Sequence, residues 1–264
     1  MPEVPPLDVI GRDLLIVRTW RRVVTLSAPF ALAALFFLFA ARGLWIGSLV
    51  CAMLITFLTY GSISHDLVHR NLRLPRALNE ILLCAIELIT FRCGHAYRIV
   101  HLYHHAHFPD ADDIEGSASR MTWWRALLDG PILQPRLLWF ALRSGRDRAW
   151  IVFEAITVMI LFAVCVALIP ITIIPAAYAA LVIAGSWCFP FITAYLPHDP
   201  NGESELTQTK LFRGVGYSVF ALEHLYHLEH HLYPQIPHHN WPELARRLDP
   251  HFARAGLVAH RLFF

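Results

Sequence analysis

The stretch VVTLSAPFALAALFFLFAARGLWIGSLVCAMLITFLTY, residues 23–60, holds two long apolar runs that only Arg42 and Gly43 separate. The runs, Val23–Ala41 and Leu44–Tyr60, approach the roughly 20 residues that an α-helix needs to cross the apolar core of a bilayer. Because the connection is so short, the two helices must fold back on each other. The stretch therefore predicts a tight hairpin of two membrane-spanning helices.

A second hairpin is predicted later in the chain, where the runs Ile151–Ile169 and Ile171–Leu196 meet at Pro170. The composition agrees with a membrane protein: apolar residues make up 56% and charged residues only 16%, with a mean hydropathy of +0.46. Soluble domains carry about 25% charged residues. We therefore expect a single all-α integral membrane domain, residues 1–264, with four transmembrane helices in two hairpins.

Basic residues indicate which ends of these helices face the cytoplasm. Two hairpins place both termini and the segments 61–150 and 197–264 on one side, and 21 of the 22 Lys and Arg residues lie there. The positive-inside rule makes that side cytoplasmic. A shorter apolar run, about 77–91, could form an interfacial helix, a re-entrant helix or a fifth span. The interfacial course is favoured, because a fifth span would move eight arginines to the opposite side. The net charge of +2 gives no support for nucleic-acid binding.

Histidines are concentrated in three clusters on the predicted cytoplasmic side: HDLVH at 65–69, HLYHH at 101–105 and HLEHH at 227–231. Residues three and four apart share one face of a helix, so each cluster directs two or three imidazoles toward one point. Imidazole is a ligand for iron, zinc and copper. Eight imidazoles exceed the needs of one tetrahedral metal, so a helical cap holding a site for two metals is predicted. The histidines in question are His65, His69, His101, His104, His105, His227, His230 and His231.

The order HxxxH, HxxHH, HxxHH around two membrane hairpins resembles the membrane-bound fatty-acid desaturase and hydroxylase superfamily, which includes carotenoid ketolases and hydroxylases. The resemblance covers about residues 44–248, and YHLEHHLYPQIP is similar to the third histidine box of many members. It implies two histidine-bound iron ions (Fe2+/Fe3+), O2 as oxidant and an electron donor. AYLPHDP at 194–200 resembles a stretch of bacterial carotenoid ketolases, and the resemblance implies His198 as a ninth ligand.

Further residues are candidates for a supporting role at the metals. Many relatives have Asn four residues before the third box, where this chain has Glu223 followed by His224, so both are candidates for direct or water-bridged contact with a metal. Carboxylates commonly orient ligating histidines, and the candidates here are Asp66, Asp112, Asp113, Glu115 and Asp199. His238 and His239 lie beyond Pro234 and Pro237 and are expected on the surface.

The expected function is O2-dependent desaturation or hydroxylation of a long apolar lipid that enters from the bilayer, with a fatty-acyl chain first. The alternative is a carotenoid ketolase or hydroxylase acting on a β-ionone-type ring. A metal transporter is a remote alternative, because transport needs ionisable groups within the spans and Glu154 is the clearest one there. The cysteines lack haem or iron–sulfur spacing, so a separate ferredoxin or cytochrome is expected as electron donor. The tail arginines Arg246, Arg247 and Arg254 are expected to meet that acidic partner or anionic membrane lipids.

Overall fold

A computed structural model of the protein describes residues 4–214 and 226–262. Within these ranges, four helical runs are long and apolar enough to cross a membrane: α1 (Thr19–Ala41), α2 (Trp45–Val68), α7 (Arg148–Ala167) and α8 (Ile174–Tyr195). The remaining larger helices are α3 (Arg76–Leu88), α4 (Gly94–His107), α5 (Trp123–Leu128), α6 (Gly130–Ser144), α9 (His227–Leu232) and α10 (Trp241–Arg254). The prediction of an all-α protein with four membrane helices is confirmed.

The two hairpins lie where the sequence predicts them. Gly43, with φ of +72°, makes the reversal between α1 and α2 in the left-handed region that glycine adopts without steric cost. α2 and α8 pack against each other in the centre, and the Tyr178 ring of α8 also lies 4.9 Å from that of Phe36 in α1. In the 18-residue apolar stretch of each helix, only 17% of the residues of α1 and 11% of those of α7 are buried within the protein. The corresponding share for α2 is 56%. The apolar faces of α1 and α7 are therefore left for lipid.

Helix α3 takes the re-entrant course, which is the alternative to the interfacial one favoured for residues 77–91. Just beyond its last turn, the carbonyl of Ile89 accepts a hydrogen bond of 2.8 Å from the Tyr178 hydroxyl in the first part of α8. One face of α3 is buried, with Leu83, Ile86 and Glu87 inside. The helix therefore enters the bundle and the chain returns as α4, which carries the second histidine cluster.

Two spans change from α-helical to π-helical winding close to the histidines. Residues Thr59–Ile63 of α2 precede His65, and residues Pro190–Tyr195 of α8 precede His198. A π-helical turn widens the helix and rotates the residues that follow it, and such turns are frequent at functional sites. Both spans thus redirect the chain as it leaves the bundle.

The segments outside the spans form one cap. The N-terminal residues Ile10 and Leu14 pack in a core with Trp241 and Leu248 of α10, and Arg247 pairs with Asp13 at 2.7 Å. The strands β1 (Phe212–Gly214) and β2 (His260–Leu262) pair in parallel beside this core. Contacts between the three histidine clusters place the segments after α2 and after α8 in the same cap. The side of the membrane that the cap faces stays a prediction.

Candidate metal centre

The nine histidines of the predicted ligand set lie in two adjacent groups in the cap. Group one has five members and group two has four, and within each group the nitrogens that face one another lie within 4.8 Å. Group one consists of His65, His69, His101, His105 and His230, and group two of His104, His198, His227 and His231. Both arrangements could hold a metal ion.

In group one, the Nε2 atoms form a chain of short contacts. His65 and His230 approach at 2.9 Å, His230 and His105 at 2.7 Å, His105 and His101 at 3.1 Å, and His101 and His69 at 3.0 Å. Five imidazole nitrogens therefore surround one point.

Group two is built around His198, which the chain delivers from the end of α8. Its Nε2 lies 3.1 Å from that of His104 and 3.2 Å from those of His227 and His231. His227 and His231 are themselves 3.2 Å apart, one helical turn from each other on α9.

The hydrogen bonds of Nδ1 in His104 and His198 indicate what the short contact between their Nε2 atoms requires. Nδ1 of His104 donates to the Asp113 carboxylate at 2.7 Å, and Nδ1 of His198 donates to the Ala194 carbonyl at 3.1 Å. In the neutral form that binds metals, each imidazole carries one N–H, so both facing Nε2 atoms then present lone pairs. Two lone pairs at 3.1 Å repel unless a cation lies between them. Nitrogens about 2.1 Å from a metal lie roughly 3.0 Å apart at octahedral angles and roughly 3.4 Å at tetrahedral angles, so the spacing fits a metal ion.

Each HxxHH cluster contributes to both groups, which the spacing had not indicated. On α4, His101 and His105 are one turn apart and join group one, whereas His104 points into group two. On α9, His230 joins group one while His227 and His231 join group two. The two helices therefore cross both groups and fix the distance between them.

Two of the α4 histidines donate a hydrogen bond to a carboxylate. Asp113 accepts from His104, and Glu115 accepts from Nδ1 of His101 at 3.0 Å. Asp113 therefore bonds a histidine of the predicted ligand set, and its role in metal binding stays a prediction. Asp112 is instead exposed and accepts a hydrogen bond of 2.6 Å from the Tyr103 hydroxyl. The Asp199 carboxylate accepts a hydrogen bond from the backbone N–H of Asn201 and so stabilises the turn in which it lies.

Asp66 and His238 form a pair that contradicts the surface position expected for His238. The Asp66 carboxylate accepts the backbone N–H of His238 at 3.0 Å and its Nδ1–H at 2.7 Å. The extended backbone at Pro237, with φ of −64° and ψ of 146°, returns the chain to the first cluster. His239 is half-buried beside it, and burial lowers its pKa to about 4. Glu223 and His224 lie outside the described residues.

Burial controls the charge of most of the histidines. It holds the pKa values of His69, His105, His198, His230 and His231 well below 6.5, and the neighbouring imidazoles lower them further. His104 differs: burial alone would lower its pKa, but Asp113 outweighs that effect and raises it. Neutral imidazole is the form that binds metals, so the site is prepared for cations.

A small cavity of about 20 Å³ lies between the two groups. It is lined by His65, His101 and His230 of group one and by His227 of group two, and on the membrane side by Tyr60 and Thr193. A space of this size holds roughly one water molecule. The cavity is therefore large enough for one small molecule beside both groups.

Sequence reasoning missed three supports of this site. Trp241 packs within 5.4 Å of the His65 ring and 5.2 Å of the His230 ring. Tyr60 stacks on Tyr97 at 4.5 Å and borders the cavity. Arg213 pairs at 2.6 Å with Glu229, which is fully buried within the third cluster. Of these residues, only Glu229 could have been recognised from the sequence, because it is a charged residue between predicted metal ligands.

Comparison with known proteins agrees with this geometry. No match was found among curated proteins. A family model described as fatty acid desaturase matches residues 41–263, a range that includes three of the four spans and all nine histidines. Since the match extends over most of the chain, the protein belongs to the fatty acid desaturase family.

Proposed function

We propose that this protein is a membrane-bound oxidoreductase that uses two iron ions and O2 to desaturate or hydroxylate a long apolar lipid, in the first place a fatty-acyl chain. The observation that carries the proposal is the pair of imidazole groups with a cavity between them, next to the membrane spans. Family membership supports the oxidoreductase class.

The donor set favours iron over zinc. Structural zinc sites hold four ligands, commonly with thiolates, whereas group one gathers five imidazoles. No cysteine is among the described members of either group. The bound irons would supply the redox chemistry, reducing O2 while hydrogen is removed from the substrate.

The protein's own residues orient the ligands and keep water out. Asp113 and Glu115 fix the rings of His104 and His101 through Nδ1, which leaves Nε2 to face the metal position. Trp241 covers group one on the side of α10. On the membrane side, the buried Tyr60 and Thr193 leave room for little more than one carbon between the groups.

The overall reaction defines what else must reach the site. Desaturation takes two hydrogens from adjacent carbons and converts one O2 to two water molecules, which needs two further electrons and two protons. Hydroxylation inserts one oxygen atom and releases one water with the same demand. An external donor of the ferredoxin or cytochrome type is therefore part of the proposal.

A carotenoid ketolase or hydroxylase is the second candidate. The observation in its favour is that His198, within the stretch 194–200 that resembles carotenoid ketolases, lies at the centre of group two. Metal transport is less well supported, because the buried Glu154 in α7 is engaged by Nδ1 of His95 at 2.6 Å.

The experiment is anaerobic purification followed by measurement of iron per chain and of products. We expect two irons in the wild-type protein and a loss of iron and activity in His230→Ala. His107→Ala is the matched control, since His107 bonds the Tyr103 carbonyl on α4 outside both groups. One iron or none in active protein would contradict the two-iron proposal. Expression in a carotenoid-producing host and in a host with acyl lipids alone, with product analysis by mass spectrometry, distinguishes the two substrates.

A further inference from the structure

A cavity of about 580 Å³ lies on the outer side of group one and has a strongly basic lining. Its wall contains one carboxylate, Asp147, and the edge of His69. Four guanidinium groups surround them: those of Arg70, Arg76, Arg98 and Arg146.

Two of the arginines are neutralised within the protein. Arg98 pairs with Glu80 at 2.5 Å and with Asp147 at 2.7 Å, and Arg70 pairs with Glu80 at 3.1 Å. The guanidinium groups of Arg76 and Arg146 have no ion pair within residues 4–214 and 226–262, and both side chains are exposed. The cavity therefore keeps an excess of positive charge at its rim, where it can act on a molecule in solution.

His69 connects this cavity to the candidate metal centre. Its Nε2 lies 3.0 Å from that of His101 in group one, yet His69 is one of the less buried members of that group. The small cavity between the two groups is lined by three other members of group one, His65, His101 and His230. The centre thus has an inner side facing the spans and an outer side where a ligand imidazole borders a basic cavity.

The tail arginines, the sequence-based candidates for a partner surface, are mostly engaged elsewhere. Arg247 pairs with Asp13 at 2.7 Å and with Glu243 at 2.8 Å, and Arg246 also pairs with Glu243. Their charge is largely balanced by these carboxylates. Arg76 and Arg146, by contrast, have no carboxylate partner among the described residues, and they line the same cavity as His69.

We propose that the basic cavity bordered by Arg76, Arg146 and His69 is the docking surface for an acidic electron-donor protein. The inference rests on the proposed function, which requires electrons from outside. Complementary charge raises the rate of encounter and sets the orientation of the partner. A protein partner is favoured over a lipid phosphate because the cavity borders a ligand imidazole, where a redox group is useful and a lipid anion is not.

The test measures binding of an acidic plant-type [2Fe–2S] ferredoxin to the full-length protein in nanodiscs, by biolayer interferometry. Arg76→Glu/Arg146→Glu is compared with the control Arg125→Glu/Arg254→Glu, which makes the same change in net charge at exposed arginines away from the cavity. We expect at least a tenfold weaker Kd for the cavity variant and less than a twofold change for the control. Wild-type binding should weaken as NaCl rises from about 20 to about 300 mM, because salt screens surface charges.

Chemical reduction by dithionite separates this proposal from the proposed function. Dithionite needs no docking surface, so it should reduce the metal in wild-type protein and cavity variant alike. Failure of that reduction in the wild type would count against the proposed function, while the ferredoxin affinities still report on docking. Equal ferredoxin affinity for both double variants, or no ferredoxin binding at low salt, overturns the docking proposal. So does a cavity variant that binds ferredoxin like the wild type and has lost only its binding of phosphatidic acid within the nanodisc.

Discussion

His104 and Asp113 are joined by a hydrogen bond of 2.7 Å between imidazole Nδ1 and carboxylate Oδ2, and both side chains are buried. The same carboxylate accepts the backbone N–H of Gly116. Burial alone would raise the pKa of Asp113, but these hydrogen bonds, His104 first, outweigh it and hold the pKa below its usual value. An ionised Asp113 fixes His104 with its Nε2 toward His198.

Removing this carboxylate should weaken metal binding by group two. We expect Asp113→Ala to lower metal affinity about 10- to 100-fold, the usual cost of losing a group that orients a ligating histidine. The measurement is a competition titration with a chelator, using Co2+ as a spectroscopic probe. Asp112→Ala is the control, because Asp112 is exposed and bonds only Tyr103 among the described residues. Equal affinities in the two variants would contradict a role for Asp113 at the site.

Arg213 should matter because it neutralises a carboxylate inside the third histidine cluster. Burial raises the pKa of Glu229, Arg213 opposes that rise, and Arg213 is itself held by Asp249 at 2.7 Å. Leaving a buried charge without its partner costs about 3–5 kcal/mol. Arg213→Ala should therefore unfold more readily in thermal denaturation and lose metal from group two.

The second substitution Glu229→Gln tests this explanation. It removes the charge that Arg213→Ala leaves uncompensated, so the double variant should recover most of the lost stability and metal. If the double variant is as defective as Arg213→Ala, the ion pair is not the cause.

Gly130 should not tolerate a side chain, because α6 begins against α8 at this residue. A Cβ atom at Gly130 would lie 1.9 Å from the carbonyl oxygen of Trp187, which is backbone and cannot rotate away. Overpacking typically costs about 1–3 kcal/mol and occasionally more, so Gly130→Ala should lower Tm clearly. Gly43→Ala is the comparison: its Cβ would meet nothing within 4 Å, and only the strain of positive φ, about 1 kcal/mol, applies. Equal Tm values would show that the helices separate here without cost.

The local sequence pattern was sufficient to predict the spans and the set of histidines that come together. It was not sufficient to predict which histidines belong to group one and which to group two. Apolar runs and HxxxH spacing are properties of single helices, so Val23–Ala41 corresponds closely to α1, Thr19–Ala41. Whether His104 belongs with His101 or with His198 depends on how α4 is rotated against the end of α8. That rotation is set by tertiary packing and by the π-helical turn Pro190–Tyr195, which hydropathy does not reveal.

Long-range partners were also beyond the sequence. The distance between Asp66 and His238 along the chain is 172 residues, and no spacing rule links them. Charge counting argues against a fifth span at residues 77–91, but it does not distinguish an interfacial helix from one that enters the bundle and returns. The Tyr178 hydrogen bond to Ile89 is what distinguishes those two courses.

The metal-free protein should lose stability as the pH falls below about 6.5. In the folded state, burial keeps the pKa values of five histidines well below 6.5, so these imidazoles stay neutral. In the unfolded chain they titrate near about 6.5. The unfolded state therefore binds more protons below that pH, and the free energy of unfolding decreases. The raised pKa of His104 acts in the opposite direction. The measurement is the Tm of chelator-treated protein in detergent between about pH 8 and about pH 5.5, on either side of the ordinary histidine pKa.

His107→Ala should follow the wild-type curve, whereas His230→Ala should flatten it, because one buried imidazole no longer resists protonation. A Tm that rises on acidification would mean that the histidines are charged in the folded apoprotein, and that the two groups are not prepared for cations.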